Sequence, residues 1–191
     1  RDNTVKAYRA RLLAIGAKSD WTKDEAQAAV DAVPSINTRN LTAIAIKTVL
    51  ELDVRLTPVV AHDWQLPTVD ELTQALRGFK YETRAWIMSV TSCRLAEACA
   101  VTSSSIAGNQ LVIDAQVDNE GNRLPTKTKA HVKTIPTWLA KRIAELDSVD
   151  SPAAVRSALA RLSKQHELQL NASCLRSFSA NYLLRNQIDL H

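Results

Sequence analysis

Between residues 102 and 136 the apolar residues change their spacing, and that change restricts the fold more than any other feature of the chain. Leu111, Ile113, Ala115 and Val117 alternate with Val112, Asp114 and Gln116, which is the period of two expected of a half-buried strand. Residues 107–110 read as a turn before this run, and residues 118–122, Asp-Asn-Glu-Gly-Asn, as a turn after it. A basic stretch over 126–133 then leads into a short strand ending at Ile135-Pro136. On both sides of this region the apolar residues recur at three and four, the helical interval. The expectation is a mainly α chain with a small antiparallel β-sheet and a basic hairpin, an α+β fold.

The helices divide into two groups. Residues 4–15 place Val5, Tyr8, Leu12 and Ile15 on one face, with Lys6, Arg9 and Arg11 on others. Gly16 and a polar stretch close that helix, and Thr22-Lys-Asp-Glu25 forms a capping box that opens a second one reaching about Val33. After Pro34-Ser35 a third begins at Asn37 or Thr38, with Leu41, Ile44, Ile46, Val49 and Leu50 as its apolar stripe. Periodicity is lost from about Glu51 to Pro67, a stretch that holds Pro58 and an unpatterned run after it. The expected layout is a helical bundle over 1–56, a linker over 57–66 and a larger domain over 67–191. That domain opens with a second capping box, Thr68-Val-Asp-Glu71, on a helix through Phe79. Further helices are expected over 83–90, 137–146 and 152–162, the last with Pro152 in its first position, and from about Ser173 through Leu184.

With 191 residues the chain has enough length for a real core. Lys and Arg exceed Asp and Glu by 24 to 20, a mild excess that permits a polyanionic partner without demanding one. Cys93, Cys99 and Cys174 are an odd number with no Cys-x-x-Cys spacing, and the four histidines are not clustered. Neither a disulfide framework nor a metal site is indicated, and a reducing, cytoplasmic setting fits. No apolar run is long enough to cross a bilayer and no signal peptide is present, so the Asn40 and Asn171 sequons are expected to be fortuitous. A start at Arg1 in place of methionine suggests a piece of something longer.

Two arginines stand where chemistry is expected. Residues 91–98 set Arg94 in a break between two apolar helical segments. Burying an unpaired guanidinium costs several kcal/mol, roughly, so Arg94 either pairs internally with Glu97 or faces an anion in a cleft, and these eight residues leave both open. Arg176 lies in Ser173-Cys-Leu-Arg-Ser177 near the start of the last helix. Free N–H groups and the positive end of the helix dipole would add to its charge at a phosphate, although a solvated arginine behind a serine cap is the better account of that stretch taken alone.

In order and interval these segments resemble the tyrosine recombinases, the family that includes phage integrases. Thr91-Ser92-Cys93-Arg94-Leu95-Ala96-Glu97 is similar to the family's Thr-Gly-Leu-Arg-x-x-Glu segment, with Ser92 in place of glycine. Thr126-Lys127-Thr128-Lys129 ahead of Ile135-Pro136 resembles its hairpin-lysine region. Ser173-Cys174-Leu175-Arg176-Ser177 is similar to its His-x-Leu-Arg-His segment, with serine at both histidine positions. The first helices look like the family's core-binding domain.

The resemblance implies DNA strand breakage and rejoining through a covalent phosphotyrosyl intermediate, with no cofactor and no metal. Arg94 and Arg176 would clamp the scissile phosphate, and Lys127 would protonate the leaving hydroxyl, with Lys129 as its rival. Glu97 would support Arg94, and Ser173 would hydrogen-bond the phosphate. The partners implied are double-stranded DNA and a homo-tetramer assembled on it, in the cytoplasm of a bacterial or phage-infected cell, with no membrane involved. The family's nucleophilic tyrosine falls downstream of its second histidine or tryptophan. Neither would occur before His191, and Tyr8, Tyr81 and Tyr182 do not match it. This chain is therefore expected to bind DNA without cleaving it. The alternative is a non-catalytic two-domain DNA-binding protein on the same scaffold.

Overall fold

The computed structural model describes residues 2–59, 65–126 and 129–185, the side chains of 182–185 excepted. The chain forms two compact units, Arg1–Asp63 and Trp64–His191. The middle of the expected linker lies outside the described residues.

The first unit contains α1 (Asp2–Ala14), α2 (Lys23–Asp31) and α3 (Ile36–Val49). At the start of α2 the capping box is complete: the Glu25 carboxylate accepts from the Thr22 N–H at 2.8 Å, and Thr22 Oγ1 accepts from the Glu25 N–H at 3.3 Å. These bonds, the backbone one foremost, hold the Glu25 carboxyl below its ordinary range. The core is small, made of Ala26, Val30, Ala43, Ile46 and Val54, with Leu12, Ile15 and Trp21 against it. Its composition departs from the expected stripes. In α3 the buried face is Thr42, Ala43, Ala45 and Ile46, whereas Ile44 and Val49 are exposed. In α1 no residue is fully buried and Val5 is 65% exposed. The alanines of α2 and α3 let those helices pack closely, and α1 lies beside α3 without being enclosed. Beyond α3 the chain folds back on the unit, since Asn40 and Thr57 exchange two hydrogen bonds of 2.8 Å.

The second unit runs α4 (Val69–Leu76), α5 (Glu82–Thr91), α6 (Leu95–Ala100), β1 (Ile106–Ala107), β2 (Gln110–Ile113), β3 (Ala115–Val117), β4 (Arg123–Pro125), β5 (His131–Thr134), α7 (Thr137–Ala144), α8 (Pro152–His166) and α9 (Ala172–Arg185). Its core draws on nearly every element, from Leu72 and Leu76 in α4 through Ile87 and Met88 in α5 to Leu159 in α8 and Leu175 in α9. Leu111, Ile113, Ala115 and Val117 are all buried, as their alternation requires. They do not form one strand, however. The ladder breaks at Asp114: β2 pairs with β1 and β5 in a three-stranded antiparallel sheet, and β3 pairs with β4 alone. Asp114 at the break accepts from Arg123 at 3.2 Å. The β3–β4 turn is fixed by Asp118, whose carboxylate accepts from the N–H groups of Glu120 and Asn122, each at 2.9 Å. Gly121 supplies the positive φ of 93° that this turn needs. Asn122 is the main cause of the low pKa of the Asp118 carboxyl.

Candidate functional site

Two helix junctions of the second unit meet at Ser92. The stripe of α5 that faces the core is Arg84, Ile87, Met88 and Thr91, all buried. At its end Ser92 takes the left-handed conformation, φ 56° and ψ 18°, which stops the helix and turns the chain outward through Cys93 to Arg94. Thr91 Oγ1 donates to the Ile87 carbonyl at 2.7 Å and accepts from the Cys93 N–H at 3.3 Å, securing the turn from inside. The Cys93 thiol is raised to about 11, burial being the main cause and the Glu97 carboxylate adding to it. It is a packing residue of the core.

Arg94 is the N-cap of α6, in extended backbone. Glu97, 2% exposed, is the buried partner. Its carboxylate accepts from the Arg94 backbone N–H at 2.7 Å and from Arg94 Nη1 at 2.9 Å. The arginine side chain is 49% exposed. Of the two readings left open, the internal pair with Glu97 is formed: what is buried is the carboxylate, and the arginine side chain that it holds remains half-exposed.

The burial argument belongs to Arg84, which was not singled out. Arg84 is 1% exposed. Its Nε donates to Asp150 at 2.7 Å, Nη2 to the Ser148 carbonyl at 2.7 Å, and Nη1 to the Ala98 carbonyl at 2.9 Å and to the Val101 carbonyl. One guanidinium thus ties α5 to the C-terminal end of α6 and to the loop before α8. The helical period could have found it, because Arg84 stands three and four residues before Ile87 and Met88 on a stripe that is otherwise core.

Arg176 approaches from α9. Its Nε donates to the Ser92 carbonyl at 3.0 Å, while Ser92 Oγ donates to the Arg176 carbonyl at 3.1 Å. Ser179 Oγ donates to the Val90 carbonyl at 3.2 Å, fixing the same face of α9 farther along. Arg176 is exposed, and its two terminal nitrogens have no protein partner among the described residues. The start of α9 differs from expectation. Asn171 is the cap: its Oδ1 accepts from the N–H groups of Ser173 and Cys174, each at 2.9 Å. Those N–H groups are consequently engaged within the chain, so the anion-binding capacity of this junction resides in the guanidinium. Ser173 is exposed in the first turn of α9.

The arginine segments are therefore adjacent, Arg176 bonding to Ser92 two residues before Arg94. Lys129 is exposed between β4 and β5 and is bonded to neither segment. Lys127 lies outside the described residues. Among the described residues no group of three or more His, Cys, Asp or Glu could hold a metal ion, and no helix is long and apolar enough to cross a membrane.

No family model matches the chain, and no curated protein matches it. Solved structures do. The Tn1549 transposon integrase in complex with a circular intermediate DNA superposes with a TM-score of 0.74 at 12% identity, over 99% of this chain and 83% of that one. Lambda integrase residues 75–356 bound to DNA give 0.66 at 16% identity, over 98% and 81%. Lambda integrase as a tetramer bound to a Holliday junction gives 0.71 at 16% identity, over 100% and 69%. The chain has the tyrosine-recombinase fold. Within that fold both arginine segments lie in the second unit, one at the α5–α6 junction and one in α9.

Proposed function

We propose that the Arg94 and Arg176 guanidiniums hold a phosphate of duplex DNA and that the chain works as a tyrosine-recombinase-type integrase module, in which DNA is broken and rejoined at specific sites. The observation that carries this is the pairing of Ser92 with Arg176, which brings the segments of two exposed arginines together while each side chain is anchored by one nitrogen. Glu97 takes Nη1 of Arg94, and the Ser92 carbonyl takes Nε of Arg176. What remains of each fork presents N–H donors in a plane suited to phosphate oxygens. Such donors stabilise the charge that accumulates on phosphorus substituents during transfer.

A lysine able to give up a proton completes the set, Lys127 in this proposal with Lys129 as the alternative. Ser173 supplies a hydroxyl to the phosphate. Neither a metal nor an organic cofactor enters this scheme. No tyrosine described here is assigned as nucleophile: Tyr8 lies in α1, Tyr81 packs edge-on to Phe79 with ring centroids 5.9 Å apart, and the Tyr182 side chain lies outside the described residues. The proposed activity of the chain itself is accordingly DNA binding. The neighbours bound to DNA, one of them a tetramer on a Holliday junction, support duplex DNA as partner and a homo-tetramer on DNA as the assembly. The first unit is proposed as the other half of the DNA grip, and cellular DNA in a bacterial or phage-infected cytoplasm as the location.

Serine at both histidine positions, 173 and 177, favours a second proposal, a two-domain DNA-binding protein without chemistry. One experiment separates the two. Affinity for a labelled duplex is measured for the wild-type chain and for Arg94→Ala and Arg176→Ala, and covalent trapping is sought with each on a nicked suicide substrate. Each substitution is expected to weaken binding by about tenfold or more, the cost of a charged hydrogen bond. Trapping that disappears with Arg94→Ala supports the recombinase, and binding without trapping supports the binder. Unchanged affinity in both variants would remove the phosphate clamp.

A further inference from the structure

Ser92 occupies a backbone conformation that costs a serine energy and costs glycine none. At φ 56° and ψ 18° its Cβ crowds the following carbonyl, a strain that asparagine tolerates and glycine lacks. Such a residue persists where its surroundings over-determine it. Here two bonds of opposite direction do so, and both end on Arg176. The left-handed turn points the Ser92 carbonyl away from the axis of α5, where a right-handed residue would have aimed it at the next turn. That carbonyl receives Arg176 Nε at 3.0 Å. The hydroxyl then donates to the carbonyl of the same arginine at 3.1 Å.

The pair constrains Arg176 at both ends. The hydroxyl fixes the backbone of α9 at residue 176, and the carbonyl fixes the guanidinium plane by its inner nitrogen. With Nε committed to Ser92, the plane of the guanidinium is set, and among the described residues its terminal nitrogens have no partner. A glycine at position 92 would adopt the turn more easily but would leave the α9 backbone without the hydroxyl. We infer that Ser92 is a positioning residue for Arg176, setting the direction in which its guanidinium meets a DNA phosphate. The inference rests on the phosphate-clamp proposal above, and its mark is a separation between stability and binding.

The test uses the full chain with Ser92→Gly, Ser92→Asn, Arg176→Ala and the double variant Ser92→Gly/Arg176→Ala. Thermal unfolding is recorded for each, together with affinity for a fluorescein-labelled duplex at one low salt concentration. Ser92→Gly is expected to unfold at the wild-type temperature or above it, because relief of strain offsets the lost bond, yet to bind DNA about two- to tenfold more weakly. Ser92→Asn, at ease in the left-handed region and carrying an amide donor, is expected to retain most of the affinity. In the Arg176→Ala background, Ser92→Gly is expected to have no further effect on binding. If Arg176→Ala weakens binding and Ser92→Gly does not, the role of Ser92 is overturned and the clamp stands. A Ser92→Gly loss that persists undiminished without Arg176 also overturns it, since Ser92 would then act by another route. Should Arg176→Ala leave affinity unchanged, the clamp itself falls and the inference with it.

Discussion

Arg84 and Arg94 lie in one helix–turn–helix and do opposite things with the same side chain. Arg94 gives one nitrogen of its fork to a buried carboxylate and leaves about half of its side chain in solvent. Arg84 has no solvent, and every one of its bonds ends on the protein. Local composition did not separate them, because each is flanked by residues that become core. The separation lies in phase: Arg84 shares a helical face with Ile87 and Met88, whereas Arg94 follows the left-handed Ser92 and belongs to no helical face of α5. Positive φ at a serine is not written in the sequence. Removing Arg84 leaves Asp150 without its ion-pair partner and the carbonyls of Ala98, Val101 and Ser148 without donors in a closed space. Arg84→Ala is expected to lower the unfolding free energy by about 3 kcal/mol or more, measured by urea denaturation. A loss below about 1 kcal/mol, the scale of an exposed ion pair, would show that water replaces the guanidinium there.

Among the elements, α9 is the one on which the site depends, because it carries Arg176 to the end of α5. Its direction is set at two points, the Asn171 cap and the bonds to Ser92 and Val90. The helix was legible from about Ser173, but its cap was not, since Ser173 has the composition of a cap and Asn171 the geometry of one. Asn171→Ala removes the acceptor of two first-turn N–H groups and is expected to cost about 1 kcal/mol of stability. Amide hydrogen exchange is expected to speed up first at residues 173 and 174; exchange unchanged at both would mean that water caps the helix equally well. The sheet shows the complementary limit. Period two correctly marked which residues face the core from Leu111 to Val117, and the capping boxes at Thr22 and Thr68 formed as their spacing requires. The break at Asp114 left no trace in that period, because burial continues on one side while the pairing partner changes from β5 to β4. Alternation encodes a face, and the choice of neighbour is made by the turns and by contacts distant in sequence.

At the scale of the whole molecule, the balance of 24 basic to 20 acidic side chains is too even for net charge to draw DNA in, so any strong attraction must come from where the cations are placed. In the first unit, Lys6 and Arg9 are exposed on α1, a helix with no buried residue. They stand one helical turn apart and share a side of the helix. Under the proposal that this unit forms half of the DNA grip, each of them neutralises a phosphate and releases its counterions. The logarithm of the association constant then falls linearly with the logarithm of salt concentration, by about 0.9 per phosphate contact. Replacing Lys6 and Arg9 together by glutamine is expected to make that slope shallower by about two, and to weaken binding to unrelated duplexes to the same degree, since phosphate contacts carry no sequence information. Arg94→Ala is expected to take about one further unit from the slope. A salt titration in which Lys6→Gln/Arg9→Gln keeps the wild-type slope while Arg94→Ala reduces it would place the DNA on the second unit alone. The reverse pattern would locate the electrostatic contact in the helical bundle and leave the paired arginines with no phosphate to hold.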